Sequence, residues 1–162
     1  MQQTNRYIEI EFGKEKGKAI LLDDVAPETC NKVWNSLPIE SFANHVKIAG
    51  DEIMFRVPVI IPGVENPVKE QEPGNICYFD QRQTICMFYG NVPGIGAANM
   101  FAKVTENLEG LTDVARACWF KGGQKISIKK EVKLSSPPPK SKIKVPLFFN
   151  ILCALVKNFS KS

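Results

Sequence analysis

Apolar and polar residues alternate from residue 6 to 12, with Ile8, Ile10 and Phe12 on one side and Tyr7, Glu9 and Glu11 on the other. A period of two is the mark of a strand with one buried face. The polar segment 13–17 (GKEKG) reads as a turn and 18–22 as a second strand, so the chain opens on a hairpin. Cys30, Val33, Trp34 and Leu37 then fall at helical spacing. They predict a helix over 23–37, with Pro27 at its first turn, the acids 23, 24 and 28 at its positive end, and Pro38 as its stop. A second hairpin is expected from 42–48 and 52–60 around the turn AGD, its second strand ending near Pro58. Residues 61–73 are rich in turn formers and charge and read as a long surface loop.

A third hairpin is expected from 75–80 and 84–90. With its turn centred between Gln81 and Arg82, Cys77 and Cys86 stand opposite one another, either as packed thiols or as a cross-strand disulfide. A Gly/Pro loop (91–96), a strand (97–105), a helix capped by Thr105 or Asn107 and running to about Ala115, and a closing strand (124–132) complete the pattern. Many short strands with two modest helices predict a mainly β protein, a small closed β-barrel capped by the helices. Residues 133–145, with three consecutive prolines, read as an extended linker. Residues 146–162 read as an amphipathic C-terminal helix, with Phe148, Ile151, Leu152, Leu155, Val156 and Phe159 on one face. The expected organisation is therefore a barrel domain at 1–132, a linker and a C-terminal helix.

Charge changes the picture at the C-terminus. The net charge is +4, but from Lys133 onward there are six lysines and no acid, so residues 1–132 carry the remaining −2. A mildly acidic body argues against nucleic-acid binding. The basic tail can lie on an anionic membrane, dock on a protein partner, fold back on its own barrel or join a second copy as a homodimer. No secretory signal or membrane-spanning run is visible, and five scattered cysteines without a C-x-x-C pair favour a reducing, cytoplasmic setting. One histidine cannot build a multi-histidine metal site, and the loop 90–96 lacks the Lys-Ser/Thr of a phosphate loop. No metal or cofactor is expected.

The segments DDVAPETCNKVWNSLP and ANMFAKVTENLEGL resemble the helix entry and the strand–helix unit of cyclophilins. Leu37-Pro38, Gly50-Asp51-Glu52, Pro73-Gly74-Asn75, Met87-Phe88-Tyr89-Gly90 and Asn99-Met100-Phe101-Ala102 are similar, in order and spacing, to motifs of the uncharacterised bacterial and archaeal cyclophilin-like families. The resemblance covers about residues 6–132 and implies a cyclophilin-like barrel. It does not carry over the prolyl-isomerase site. Phe55-Arg56-Val57 lacks the histidine that precedes the family's arginine, no Q-F-F strand is present, Gln83 falls in a turn, and Ala98 stands where the pocket histidine belongs.

The implied role is binding or transforming a small polar or carboxylate-bearing metabolite at a barrel-face pocket. The alternatives are a non-catalytic peptide or protein interaction module and, third, a peptidyl-prolyl isomerase. His45, Arg56, Tyr89 and Asn99 are the expected ligand-binding residues. Arg supplies a fork for carboxylate, Tyr and Asn supply orienting hydrogen bonds, and His45 titrates near neutrality, unless it is simply a solvent-facing strand residue.

Overall fold

The computed structural model describes residues 5–93 and 98–131. The expected linker and C-terminal helix, and any membrane, protein or homodimer contact they make, lie outside the described residues, as does part of the Gly/Pro loop. The described elements are β1 (Tyr7–Phe12), β2 (Glu15–Leu21), α1 (Pro27–Asn35), β3 (Ile39–His45), β4 (Glu52–Arg56), β5 (Pro67–Val68), β6 (Asn75–Phe79), β7 (Thr84–Phe88), β8 (Ala98–Glu106), α2 (Leu108–Lys121) and β9 (Gln124–Lys130). The strands follow the order β2-β1-β9-β3-β4-β7-β6-β8, and β8 returns to pair with β2. Eight strands thus close into a mainly β barrel, with β5 added beside β8 and two helices packed against it. All pairings are antiparallel.

The alternation read from the sequence fills the barrel. Ile8, Ile10 and Phe12 of β1, Ala19 and Leu21 of β2, and Ile126 and Ile128 of β9 are buried. They join Cys30 and Val33 of α1 and Leu111, Ala115 and Cys118 of α2 in one core. At about 25 cal/mol per Å2 of apolar surface removed from water, this core is the main source of stability.

Some bounds differ from the sequence reading. α1 begins at Pro27, because residues 22–26 are held in a turn by hydrogen bonds from Val25 and Ala26 to Leu22 O. α2 runs to Lys121 rather than stopping near Ala115. The inward series Leu111, Ala115, Cys118 continues its buried face, and Gly122, at φ +85°, ends it. The loop 61–73 carries the short strand β5. Among the described residues no helix is long and apolar enough to cross a membrane.

Candidate functional site

β7 is buried along its whole length and β6 at four of its five positions. An antiparallel strand with one wet face would alternate, so these two are covered on both sides. Their outer side forms a second apolar layer of Cys77, Cys86, Phe88, Val92 and Ala98, flanked by Met54, Phe79 and Met100. The register fixes its rows. Glu52 stands opposite Phe88, Met54 opposite Cys86, and Arg56 opposite Thr84, while Cys77 and Phe79 of β6 face Cys86 and Thr84. Loops 46–49 and 69–71 and Val92 wall this face into a groove of about 250 Å3. A second depression shares Met54, Gln81, Arg82 and Thr84 with the groove and adds Arg56, Ile60, Asp80 and Gln83.

The polar groups of the groove are unevenly placed. Glu52, at the start of β4, is only 6% exposed and has no ion-pair partner among the described residues. Burial raises its carboxyl above the ordinary range, opposed by a hydrogen bond from the Cys86 thiol and by the charge of Arg82. At the other end of the β4 row, Thr84 is 2% exposed and its hydroxyl has only the weakly accepting Cys86 sulfur beside it. Arg82, from the β6–β7 connection, lines both groove and depression. Lys69 lines the groove and Arg56 the depression. None of these three cations forms a salt bridge among the described residues.

Cys77 and Cys86 stand opposite one another, as the sequence register predicts, and both are free thiols. Cys77 Sγ donates to Gln71 Oε1 at 3.3 Å, and burial pushes its pKa up to about 12. Burial also raises that of Cys86 strongly, with the charge of Glu52 adding to it. Thiols held protonated in this way are poor nucleophiles. Glu52 is the acid of the groove, and its burial favours the protonated carboxyl.

The four residues expected from the sequence do not meet in one place. His45 Nε2 and the Tyr89 hydroxyl share a short hydrogen bond, and the Asp51 carboxylate also bonds the phenol. Burial and that carboxylate push Tyr89 up to about 12, and burial lowers His45. The His45 ring packs edge-on against Trp119 at 4.6 Å, and its Nδ1 is buried without a partner among the described residues. His45 and Asp51 of this cluster flank the β3–β4 loop, whose residues Val46, Ile48 and Ala49 line the groove. Asn99 is buried at β8. Its Oδ1 accepts from the backbone N–H of Asn66 (3.1 Å) and Glu65 (3.3 Å), and its Nδ2 donates to Thr29 Oγ1 (2.8 Å). Only Arg56, exposed at the end of β4, reaches the outer face.

Glu52, Thr84, Arg82 and Lys69 were not among the expected site residues. The signal available for them was the unbroken apolar runs 76–79 and 85–89. These mark strands buried on both faces, and they make a lone acid on the adjoining strand conspicuous.

Comparison with known proteins gives the chain a family and a fold. The family model described as "Protein of unknown function (DUF3830)" matches residues 8–130. No curated protein matches. Among solved structures, McbB, determined in complex with tryptophan, is similar with a TM-score of 0.68 at 19% identity, over 80% of this chain and 46% of McbB. The chain thus spans about half the length of McbB. The solution structure of the hypothetical protein AF2241 from Archaeoglobus fulgidus is similar with a TM-score of 0.61 at 24% identity, over 81% of this chain and 100% of AF2241. Identities this low carry the fold alone.

Proposed function

This chain belongs to the DUF3830 family, a family of unknown function, and on that premise we propose that it binds a small ligand with an apolar framework and a carboxylate in the outer-face groove of its barrel. The observation that carries this reading is the end of the groove where Arg82, Arg56 and the Thr84 hydroxyl gather. Thr84 is buried with only the weakly accepting Cys86 sulfur to bond its hydroxyl, and neither arginine has an acid in salt-bridge contact among the described residues. A sulfur is a weak acceptor for a buried hydroxyl, and a carboxylate accepts from both a hydroxyl and a guanidinium fork. Met54, Phe79 and Phe88 offer the apolar contact beside it.

Two further facts support the reading. Small-molecule sites are concave, mostly apolar and carry a few placed polar groups. McbB, which shares this fold over part of its length, is solved in complex with tryptophan, a carboxylate with an apolar side chain. The motif resemblance to cyclophilin-like families fits the same barrel. Of the residues expected from the sequence, we assign Arg56 to the carboxylate end and His45 and Tyr89 to supporting the β3–β4 loop of the groove wall. Asn99 is assigned to fixing the loop at residues 65–66.

The test is a thermal-shift and calorimetric screen of aliphatic and aromatic carboxylates. Ligands that bind only the native state raise its apparent stability. At least one such carboxylate is expected to bind. Arg82→Gln, which removes a charged hydrogen bond on the exposed rim, should weaken it roughly ten- to a hundredfold. If no carboxylate stabilises the protein, or if the Arg82→Gln, Arg56→Gln double variant binds as tightly as the wild type, the reading falls.

A further inference from the structure

Glu52 is left over by a carboxylate site. It is a buried acid at the far end of the same groove. Two rows along β4 separate it from Arg56, about 13 Å between Cα atoms at the rise of a strand. Met54 and Cys86 lie in the row between. Glu52 thus opens the β4 row, Arg56 and the Thr84 hydroxyl close it, and Arg82, whose charge reaches Glu52, lines both the groove and the depression. We propose, resting on the carboxylate reading above, that the groove takes an amino carboxylate whose charges are separated by an apolar spacer. Its ammonium sits at Glu52 and its carboxylate at Arg82, Arg56 and Thr84.

The chemistry at Glu52 is arranged for such a group. The Cys86 thiol already donates to the carboxyl, which favours the ionised form. No cation completes the pair within the described residues, because the nearby charge of Arg82 acts on Glu52 without bonding to it. Burial pushes the pKa of Glu52 up, against the Cys86 hydrogen bond and the charge of Arg82. An arriving ammonium supplies the missing counter-charge and three donors and favours the ionised carboxylate. The charged and titratable groups around Glu52 are Cys86 on β7, Cys77 on β6, Arg82 in the β6–β7 connection and Lys69 on the loop before β6. Asp51, the preceding residue, turns the other way to Tyr89. Both thiols keep their protons throughout the neutral range, so Glu52 is the group whose ionisation follows binding.

Three probes of equal chain length separate the possibilities on the full-length protein: 6-aminohexanoate, hexanoate and hexylamine. Titration calorimetry should show 6-aminohexanoate binding at least tenfold more tightly than either of the others. Its affinity should rise with pH as the raised Glu52 carboxyl ionises, and the proton exchanged on binding should be released rather than taken up, read from the dependence of the heat on buffer ionisation. Glu52→Gln should abolish the advantage over hexanoate and leave hexanoate affinity in place. The proton measurement needs no variant, so a Glu52→Gln protein that failed to fold would not shelter the proposal. If hexanoate binds the wild type as tightly as 6-aminohexanoate, and Arg82→Gln removes both, the amine site is overturned while the carboxylate site stands. Proton uptake, or affinity falling with rising pH, overturns it too, because Glu52 would then be a neutral donor. If none of the three binds, this inference falls, and a failed wider screen takes the carboxylate reading with it.

Discussion

Tyr89 carries two jobs that its position in the sequence does not separate. Its ring is part of the core, and its hydroxyl joins His45 and Asp51. The neighbouring Gly90 lets the chain pass Asp51 closely, since a Cβ there would lie 2.6 Å from that of Asp51. Tyr89→Phe leaves the packing and removes the link, so His45 Nε2 and the Asp51 carboxylate lose their shared partner. The expected cost is about 1–3 kcal/mol, read as a shift in the denaturant midpoint with an unchanged slope. A change under a few tenths of a kcal/mol would mean that water replaces the phenol at no loss. At this scale the sequence was partly legible. His45 and Tyr89 stood out as the lone histidine and a tyrosine beside a Gly/Pro loop, and they do meet. Glu52 did not stand out, because its burial depends on β7 beside it, and the signal for that lies in the distant apolar runs 76–79 and 85–89 rather than around residue 52.

α1 is a helix without a cap of its own. Ala26 precedes it and offers no side-chain acceptor. Its first N–H groups are satisfied from far along the chain by Glu65, whose carboxylate accepts from Glu28 N (2.9 Å), Thr29 N (2.7 Å) and Thr29 Oγ1 (2.6 Å). Asp23, expected at the positive end of the helix, instead pairs with Arg6. Partial burial pushes Glu65 up, but its hydrogen bonds from Thr29 and Glu28 outweigh this and hold its pKa below the ordinary value. A carboxyl whose folded pKa is depressed stabilises above its unfolded pKa, about 4.3, and that contribution is lost as pH falls through the folded value. Glu65→Gln keeps one acceptor and loses a solvent-screened charge, so it should cost no more than about 1 kcal/mol at pH 7, and the difference from wild type should shrink toward pH 3. A pH-independent difference would show that shape rather than charge holds the helix start. The helix itself was readable from Cys30, Val33 and Trp34. Its cap was not, because 36 residues separate Thr29 from Glu65. The same limit hid β5, which exists only because β8 lies beside it.

The whole molecule buries every thiol that the structure describes. Cys30, Cys77, Cys86 and Cys118 are all free and all buried. Burial pushes Cys30 and Cys77 up to about 12 and raises Cys86 and Cys118 as well. A thiol-specific disulfide reagent at pH 8 should therefore label none of these four quickly in the native protein and all four in denaturant. Rapid labelling of Cys77 or Cys86 would show that the outer face opens. The closed barrel was legible as a class, from strand count, hairpin spacing and alternation. The pairings that close it were not legible, because alternation says which face a strand buries and is silent on its neighbour.

Those closing pairs set a condition on how the protein is made. β1 needs β9, with Ile8 beside Lys130 and Phe12 beside Ile126, and β2 needs β8. A ribosome adding about 5–20 residues per second leaves the first hairpin waiting roughly 5–25 s for its last partner strand. During that interval Ile8, Ile10 and Phe12 have no barrel to enter. The nascent chain carries an unpaired, apolar edge until nearly all of the barrel has emerged, so β1 is the segment on which a holding chaperone would act.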